Sequence, residues 1–174
     1  MKGSVVIPMY NAAAYVEQAV KSAPAQSETA ELLPVEDGAT DGPPEICQRL
    51  ERNDSRVRSL RHPGGQNRGA GAARNLGIAQ ASSTYVAFLD ADDFYRPGRF
   101  RKDAEVVAEH PAADGVCDAP GLYFQEESPD PEFRRDPNKR IALWHSSASC
   151  VSRALGRHPH QCVVNQLWRG PREI

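Results

Sequence analysis

Two aspartates, Asp90 and Asp92, lie two residues apart and directly follow the most apolar stretch of the chain, residues 85–89 (YVAFL). At the end of a strand, side chains two residues apart point the same way. Neighbouring carboxylates repel each other, so a cation or a proton must offset their charge. Oxygen ligands with open positions suit Mg2+ or Mn2+, which proteins hold with one or two carboxylates and substrate phosphates. The pair predicts a divalent-cation site, and the alternative is a solvated turn that caps the next helix.

Three further side chains have chemistry that suits a nucleotide. The carboxylate of Asp37 could accept a hydrogen bond from the N–H of a base such as uracil, or Asp37 and Gly38 could simply form a turn. Tyr10 could stack on a base, or it could be an ordinary half-buried tyrosine. The guanidinium of Arg74 could contact a diphosphate, or it could form a surface salt bridge. Each residue taken alone leaves both interpretations open.

The glycine-rich segments do not match the common phosphate-binding motifs. Residues 64–71 (GGQNRGAG) are not followed by GK[ST], which argues against a P-loop. Residues 69–74 (GAGAAR) end in arginine where a third glycine would complete a dinucleotide fingerprint, and they do not follow the first strand. His158 and His160 could ligate a metal, but an exposed pair is the simpler interpretation.

Alternating strand and helix patterns must position these side chains. Short β-branched or apolar runs predict strands at residues 4–7, 31–36, 57–60 and 85–89. Pro34 is unusual within the second of these, because proline cannot donate a hydrogen bond to the ladder. Apolar residues at helical spacing predict helices around residues 16–23, 46–50, 72–79 and 98–109, with Asp41 as a cap for the second. A later strand is predicted at residues 141–144. The alternation predicts an α/β fold with right-handed crossovers and a mostly parallel sheet.

The predicted sheet brings the polar clusters together. In open parallel sheets, ligands bind in the crevice beyond the carboxyl ends of the strands. Residues 8–11 (PMYN) follow the first predicted strand, residues 37–41 (DGATD) the second, and residues 90–93 (DADD) the strongest. All three clusters are therefore expected at one edge of the sheet, where they would form a single site.

Composition limits the class of protein. The chain has 174 residues with a formal net charge of −2, which gives no electrostatic reason to expect nucleic acid as a partner. The 4 cysteines are widely spaced and form no CxxC pair, so reduced thiols in a cytoplasmic protein are expected. The sequence predicts neither a signal peptide nor a membrane span. Peripheral contact with a membrane is left open.

Four segments resemble motifs of glycosyltransferase family 2. Residues 5–11 (VVIPMYN) resemble VIIPxYN, and residues 35–41 (VEDGATD) resemble VDDGSTD. Residues 72–78 (AARNLGI) resemble AARNxGI, and residues 88–93 (FLDADD) resemble FLDADD. The motifs occur in the family's order and cover roughly the first hundred residues, which makes the resemblance specific. It implies the GT-A fold, a Rossmann-like, mostly parallel sheet flanked by helices.

The resemblance also implies roles for individual residues. Pro8 and Tyr10 would border the base, with the ring of Tyr10 stacked on it, and Asp37 would bind uracil or an equivalent base. On the diphosphate side, Arg74 would lie beside the nucleotide, and Asp90 would contact the ribose and the metal region. The metal ligand would be Asp92, which would bind the divalent cation, Mn2+ or Mg2+, that bridges the diphosphate.

The resemblance is weaker in the second half of the chain. Glu36 and Ala39 replace the Asp and Ser of the family's second motif, and Asp93 is expected to support the site without ligating directly. Family members supply a catalytic acid from an "ED" motif in the acceptor half. Residues 145–149 (HSSAS) resemble the stretch before it, but no convincing "ED" follows, and Glu173 lies close to the end of the sequence. The catalytic base is therefore unknown.

These observations together predict a metal-dependent, inverting glycosyltransferase. Residues 1–115 are expected to bind the nucleotide sugar, with UDP as the expected nucleotide, and residues 116–174 to form a partial acceptor-side region of the same domain. The expected partners are a nucleoside-diphosphate sugar and a glycan or lipid-linked acceptor, as in the synthesis of cell-surface polysaccharides, and a homo-oligomer is left open. The first alternative is a catalytically incomplete module that only binds nucleotide sugars. A nucleotidyltransferase ranks lower because no glycine- and arginine-rich loop follows the first strand.

Overall fold

A computed structural model describes residues 1–41, 45–111, 115–118 and 165–169. Strands and helices alternate along most of this part of the chain. The strands are β1 (Gly3–Met9), β2 (Thr29–Glu36), β3 (Leu60–Arg61), β4 (Tyr85–Phe88), β5 (Gly115–Asp118) and β6 (Asn165–Arg169). The helices are α1 (Val16–Ser22), α2 (Glu45–Asn53), α3 (Ala70–Gln80) and α4 (Arg101–Glu109). The predicted α/β alternation is confirmed.

The described strands form one sheet with the order β3-β2-β1-β4-β6-β5. β1 lies between β2 and β4 and pairs with both in parallel, and β2 pairs in parallel with β3. β6 pairs antiparallel with β4, so the sheet is mostly parallel rather than wholly so. The central place of β1 explains why residues 5–7 are almost completely buried: helices cover both faces of a parallel sheet.

Successive side chains of β1 enter different cores because the side-chain period of a strand is two. Val5 and Ile7 join the larger core cluster, which includes Val16 and Val20 of α1. Val6, between them, joins the second cluster. That second cluster also contains Leu33, Val35, Ala73 and Val86. The apolar spacing read from the sequence therefore corresponds to two cores, one on each side of the sheet.

Pro34 is accommodated within β2, on the side where pairing is interrupted. Leu32 exchanges backbone hydrogen bonds with Arg56 and Arg58, at 2.8 and 3.0 Å. Backbone groups of residues two apart in a strand point the same way, so the backbone nitrogen of Pro34 points toward the same neighbouring segment as that of Leu32. The regular ladder with β3 resumes only at Val35 and Leu60. The missing N–H of Pro34 therefore falls in a gap of the ladder, which explains why proline is tolerated in an interior strand.

Several predicted boundaries differ from the observed ones. β2 begins at Thr29 rather than at residue 31, and the weak strand predicted at residues 57–60 is a single bridge between Leu32 and Val57 followed by the short β3. The last predicted helix begins at Arg101 rather than at residue 98, because Gly98 has a φ of 72°, outside the helical region. The strand predicted at residues 141–144 lies outside the described residues.

Two compact units are distinguished along the chain. Met1–Val116 and Gln166–Ile174 form the first, and Cys117–Asn165 form the second, most of which lies outside the described residues. The expected division at residue 115 is not tested by this grouping and stays a prediction. In the part of the chain that the structure describes, no helix has both the length and the apolar character required to cross a bilayer.

The close approach of α3 to β1 depends on a glycine. A Cβ atom added at Gly77 would lie 2.3 Å from Cγ1 of Val6, a buried side chain of the central strand. We expect Gly77→Ala to lower the free energy of unfolding by about 1–2 kcal/mol, because overpacking outweighs the better helix propensity of alanine. Urea denaturation of the purified chain measures this change.

The same helix offers a matched control. Gly71 lies in the first turn of α3, and an added Cβ would meet nothing within 4 Å. We expect Gly71→Ala to raise the free energy of unfolding by up to about 1 kcal/mol, through helix propensity alone. If Gly77→Ala were as stable as Gly71→Ala, the tight packing of α3 on β1 would be wrong.

Candidate functional site

The carboxyl ends of three neighbouring strands meet at one edge of the sheet. Met9 at the end of β1 pairs with Glu36 at the end of β2, and the N–H of Asp37 donates to the carbonyl of Met9 at 2.9 Å. On the other side of β1, the N–H of Leu89 donates to the carbonyl of Val6 at 3.1 Å. The residues after β1, β2 and β4 therefore start from adjacent positions. This is the edge at which parallel sheets bind ligands.

Side chains tie the loop after β1 to the loop after β2. Oδ1 of Asn11 accepts the backbone N–H of Thr40 at 2.9 Å and its hydroxyl at 3.2 Å. Asn11 has a φ of 48°, a left-handed conformation that asparagine tolerates better than most residues. Oδ2 of Asp41 accepts the N–H of Ala13 at 3.0 Å, so its described contact is with the first loop. The cap predicted for Asp41 would involve residues 42–44, which lie outside the described residues.

Tyr10 projects from this tied pair of loops and is 52% exposed. Among the described residues, only Tyr15 is an equally exposed large hydrophobic side chain. Pro8 lies within β1, half-buried, where it pairs with Val35. An accessible ring at the strand edge has the position that stacking on a base requires. The roles of Pro8 and Tyr10 stay predictions.

Asp37 is buried and has backbone partners. Its Oδ1 accepts the N–H of Arg68 at 2.8 Å, and its Oδ2 accepts the N–H of Gly69 at 2.7 Å. Gly69 precedes α3, so the carboxylate also compensates the positive end of that helix. The chain packs tightly here, since a Cβ atom added at Gly38 would lie 2.3 Å from the backbone nitrogen of Asn67. An ionised carboxylate has about four lone-pair sites, so these two bonds leave capacity for a further donor.

The substitution at Glu36 has a structural explanation. Its Oε1 accepts the N–H of Ala39 at 2.5 Å, which closes the turn after β2. Its Oε2 pairs with the guanidinium of Arg61 in β3, with a distance of 2.5 Å to Nε. The side chain of Glu36 is 7% exposed. Glu36 therefore links the turn to the neighbouring strand. Its side chain is one methylene longer than the aspartate of the family motif, and Asp37 keeps its position in the turn.

The aspartate cluster after β4 forms a tight turn. The N–H of Asp93 donates to the carbonyl of Asp90 at 3.0 Å. Asp90 is half-buried and its Oδ1 lies 2.5 Å from a guanidinium nitrogen of Arg74, which projects from α3. Asp92 is exposed. The structure thus brings Arg74 and Asp90 together and leaves the carboxylate of Asp92 accessible at the same turn.

Buried side chains hold this turn from below. The hydroxyl of Tyr95 donates to the carbonyl of Phe88 at 2.9 Å, and the N–H of Tyr95 donates to the hydroxyl of Ser22 at 3.0 Å. Tyr95 packs edge-to-face on Phe100, with the ring centroids 5.1 Å apart. Burial raises the pKa of the Tyr95 hydroxyl well above its usual range, so it stays a hydrogen-bond donor. The turn is therefore fixed to both β4 and α1.

The carboxylates of this turn lie close enough to repel one another. Burial, followed by the charges of Asp92 and Asp90, raises the pKa of Asp93 to about 6. Oδ2 of Asp93 is buried and has no hydrogen-bond partner among the described residues. Among the described residues, Arg74 forms an ion pair with Asp90, and no ion pair is formed by Asp92 or Asp93. A cation beside Asp92 would relieve this repulsion, as expected for acids that share a site.

The donor set fits a divalent cation that substrate phosphates also bind. Within the described ranges, no group of three or more His, Cys, Asp or Glu side chains is arranged to hold a metal ion. One or two carboxylates completed by phosphate oxygens and water are what Mg2+ usually takes, and Mn2+ accepts the same oxygen ligands. Asp92 and its neighbours fit this arrangement.

One polar residue at this edge was missed by the sequence analysis. His62 follows β3 as Asp37 follows β2. Because the last residues of the two strands, Glu36 and Arg61, are paired, Asp37 and His62 are neighbours. His62 is 8% exposed, and its Nε2 lies 3.8 Å from Oδ1 of Asp37. The strand-end rule could have identified it, but the prediction for this weak strand ended at residue 60. His62 therefore fell outside the predicted strand.

The remaining predictions fall elsewhere. Cys47 is buried, and burial together with the charge of Glu51 raises the pKa of its thiol to about 11, as expected for an inert thiol. His158, His160, Glu173 and residues 145–149 lie outside the described residues. The structure therefore gives no position for a catalytic base.

Comparison with known proteins identifies relatives over most of the chain. The family model described as "Glycosyl transferase family 2" matches residues 4–157. A putative teichuronic acid biosynthesis glycosyltransferase, TuaG of Bacillus subtilis, is 38% identical over 158 residues, which cover 88% of this chain and 62% of TuaG. The glycosyltransferase GlyG of Streptococcus pneumoniae is 35% identical over 132 residues, covering 75% of this chain and 42% of GlyG. The chain thus spans less than two thirds of the length of these relatives.

Solved structures show the same architecture. The crystal structure of Staphylococcus aureus TarS residues 1–349 in complex with UDP has a TM-score of 0.60 and 28% identity, covering 77% of this chain and 40% of that one. The corresponding complex with UDP-GlcNAc has a TM-score of 0.58 and 26% identity, covering 77% and 38%. These likenesses, with the observed sheet and flanking helices, confirm the expected GT-A fold.

Proposed function

This chain belongs to glycosyl transferase family 2, and on that premise we propose that it binds a nucleoside-diphosphate sugar at the sheet edge described above and transfers the sugar to an acceptor hydroxyl. The observation that carries the proposal is the convergence of three strand ends. It places an exposed aromatic ring, a buried acid and an aspartate turn after adjacent strands. A nucleotide offers a matching set of groups: a flat base, a ribose and a charged diphosphate.

We assign the base to the side of the edge formed by β1 and β2. Tyr10, with half of its surface exposed, supplies a ring face for stacking. Asp37 supplies an acceptor for the N–H of the base, and Pro8 borders the same pocket. The TarS structures contain UDP and UDP-GlcNAc, which supports a uridine nucleotide as the donor. We propose a UDP-sugar for this chain as well.

We assign the diphosphate to the side formed by β4 and α3. The guanidinium of Arg74 lies 2.5 Å from Asp90 and has further N–H groups that can donate to phosphate oxygens while this ion pair is kept. Asp90 then lies between Arg74 and the ribose. Asp92 would hold Mn2+ or Mg2+ together with the diphosphate, and the ion would supply a Lewis acid that offsets negative charge on the departing diphosphate.

The chemical step that we propose is a single displacement. The acceptor hydroxyl attacks the anomeric carbon from the face opposite the leaving diphosphate, the bond to that diphosphate breaks, and the configuration inverts. A carboxylate base takes the proton from the hydroxyl. Arg74 and the aspartate turn bind the leaving group and keep it oriented.

The acceptor that we propose is a glycan or a lipid-linked glycan. Two relatives are named for polysaccharide biosynthesis, TuaG for teichuronic acid and ExoU of Rhizobium meliloti for succinoglycan. The names describe those proteins, and they support a role in the synthesis of a bacterial surface polysaccharide for this chain. Peripheral contact with the cytoplasmic face of a membrane would agree with such an acceptor.

A module that binds nucleotide sugars without transferring them is the second candidate. Such a module would bind the nucleotide sugar at the same sheet edge without the transfer step, and the chain spans 62%, 42% and 35% of the length of three curated relatives. A turnover assay separates the two functions: the chain is incubated with Mn2+, a panel of UDP-sugars and oligosaccharide acceptors, and free UDP is measured.

We expect UDP release that depends on the acceptor and on Mn2+. Tight binding of UDP without release for any donor–acceptor pair would favour the binding module. Release of pyrophosphate from a nucleoside triphosphate would instead indicate a nucleotidyltransferase.

A further inference from the structure

His62 is a buried side chain with an unsatisfied polar atom beside the proposed base pocket. Its Nε2 has no hydrogen-bond partner among the described residues, although the side chain is only 8% exposed. Buried polar atoms in folded proteins nearly always have a partner, and leaving one without costs about 1–3 kcal/mol. An orphaned ring nitrogen next to a predicted ligand site therefore points to a group that the ligand supplies.

The position of His62 pairs it with Asp37. Nε2 lies 3.8 Å from Oδ1 of Asp37, too far for a hydrogen bond and close enough for one ligand edge to meet both groups. The carboxylate of Asp37 can only accept, and it is held in place by the N–H groups of Arg68 and Gly69. A neutral imidazole can carry its proton on Nε2 and donate it. The two side chains therefore offer an acceptor next to a donor.

Only some bases complement such a pair. Uracil and guanine present a ring N–H next to a carbonyl oxygen, so the N–H can donate to Asp37 while the carbonyl accepts from His62. Cytosine and adenine present a ring nitrogen with a lone pair next to an amino group, which reverses both positions. When cytosine or adenine binds, the acceptor of Asp37 and the donor of His62 stay unpaired in a buried site, and this cost disfavours these two bases.

We propose that His62 is a specificity-determining residue which, together with Asp37, selects nucleotides whose base has an N–H next to a carbonyl. This inference rests on the proposed function, because it assumes that the base binds on the β1–β2 side of the edge. Residues 63–67, which follow His62, are mostly exposed and contain Gly64 and Gly65, both with positive φ. Because the side chains of His62 and Asp37 are buried, the inference requires a local movement that opens the pair to the base.

Calorimetric titration of the full chain with UDP, GDP, CDP and ADP, at a fixed Mn2+ concentration, tests the proposal. We expect UDP and GDP to bind at least about tenfold more tightly than CDP and ADP, since a mismatched base leaves buried polar groups of the pair unpaired. His62→Leu removes the ring nitrogens and should lower the ratio of UDP to CDP affinity by about tenfold. His62→Gln keeps an N–H donor and should retain most of the ratio. Glu109→Gln, an exposed change at the end of α4, serves as the control.

The outcomes distinguish this inference from the proposed function. Equal loss of affinity for all four nucleotides in His62→Leu would show a merely structural role and overturn the inference. Equal binding of UDP and CDP by the unmodified chain would also overturn it, even if the leucine variant failed to fold. If the unmodified chain bound none of the four nucleotides, the proposed function would fail as well. If His62→Leu bound UDP with an unchanged ratio of UDP to CDP affinity, the role of His62 would be wrong while the proposed function would stand.

Discussion

Asp92→Ala is expected to abolish Mn2+-dependent binding of UDP, with a loss in affinity of about 100-fold or more, on the order of 3 kcal/mol. Asp92 is the exposed acid of the turn after β4, and its charge is one of those that raise the pKa of neighbouring Asp93 to about 6. Without Asp92, a divalent cation loses its protein ligand while Asp90 remains occupied by Arg74. Calorimetry with and without Mn2+ measures the effect.

The fold should tolerate this change. Asp92 is exposed and forms no hydrogen bond or ion pair through its side chain with another described residue, and a surface substitution usually alters the free energy of unfolding by less than about 0.5 kcal/mol. Glu109→Gln is a suitable control, because it removes one exposed negative charge from the end of α4, away from the turn. Unchanged affinity for UDP in the presence of Mn2+ would contradict the metal-binding role of Asp92.

Asp37→Asn is expected to weaken UDP binding by about 50-fold while weakening inorganic pyrophosphate much less. The proposed role of Asp37 is to accept an N–H from the base, and an amide presents a competing donor where the carboxylate accepts. The variant should also lose about 1–3 kcal/mol of stability, because the new amide N–H2 meets the backbone N–H of Arg68 or Gly69 in a buried site. Titration with both ligands, and urea denaturation, measure the two effects.

Asp41→Asn is the matched control for Asp37. Both acids belong to the turn after β2, but Asp41 is exposed and its carboxylate accepts only the N–H of Ala13 among the recorded hydrogen bonds. We expect it to leave nucleotide affinity almost unchanged. Equal losses for UDP and pyrophosphate in Asp37→Asn would show that Asp37 only anchors the loop before α3, and its assignment to the base would be withdrawn.

The architecture could be predicted from the sequence because the segments that form the central strands are apolar at nearly every position. Residues 85–89 and 4–7 read as buried strands, and β4 and β1 are the neighbours at the centre of the sheet. The family resemblance carried by four short motifs is confirmed by the match over residues 4–157. The edge at which Tyr10, Asp37 and Asp90 follow their strands was predictable from one rule about parallel sheets.

The hydrogen bonds that shape the site were not predictable in the same way. The contacts of Asp37 with Arg68 and Gly69, and of Asn11 with Thr40, join segments about thirty residues apart, and local spacing carries no information about them. His62 was missed because a two-residue strand has too few side chains to show a period. Glu36 read as a departure from the family motif, and its link to Arg61 became visible only once β2 and β3 were paired.

The central claim is that one ligand occupies the edge where β1, β2 and β4 end. A crystal structure of the chain with UDP and Mn2+ tests it most directly. We predict density for the base against Tyr10 and Asp37, and density for the diphosphate and the ion beside Asp92. Density for UDP on another surface, with these three side chains unchanged and not in contact with it, would contradict the account.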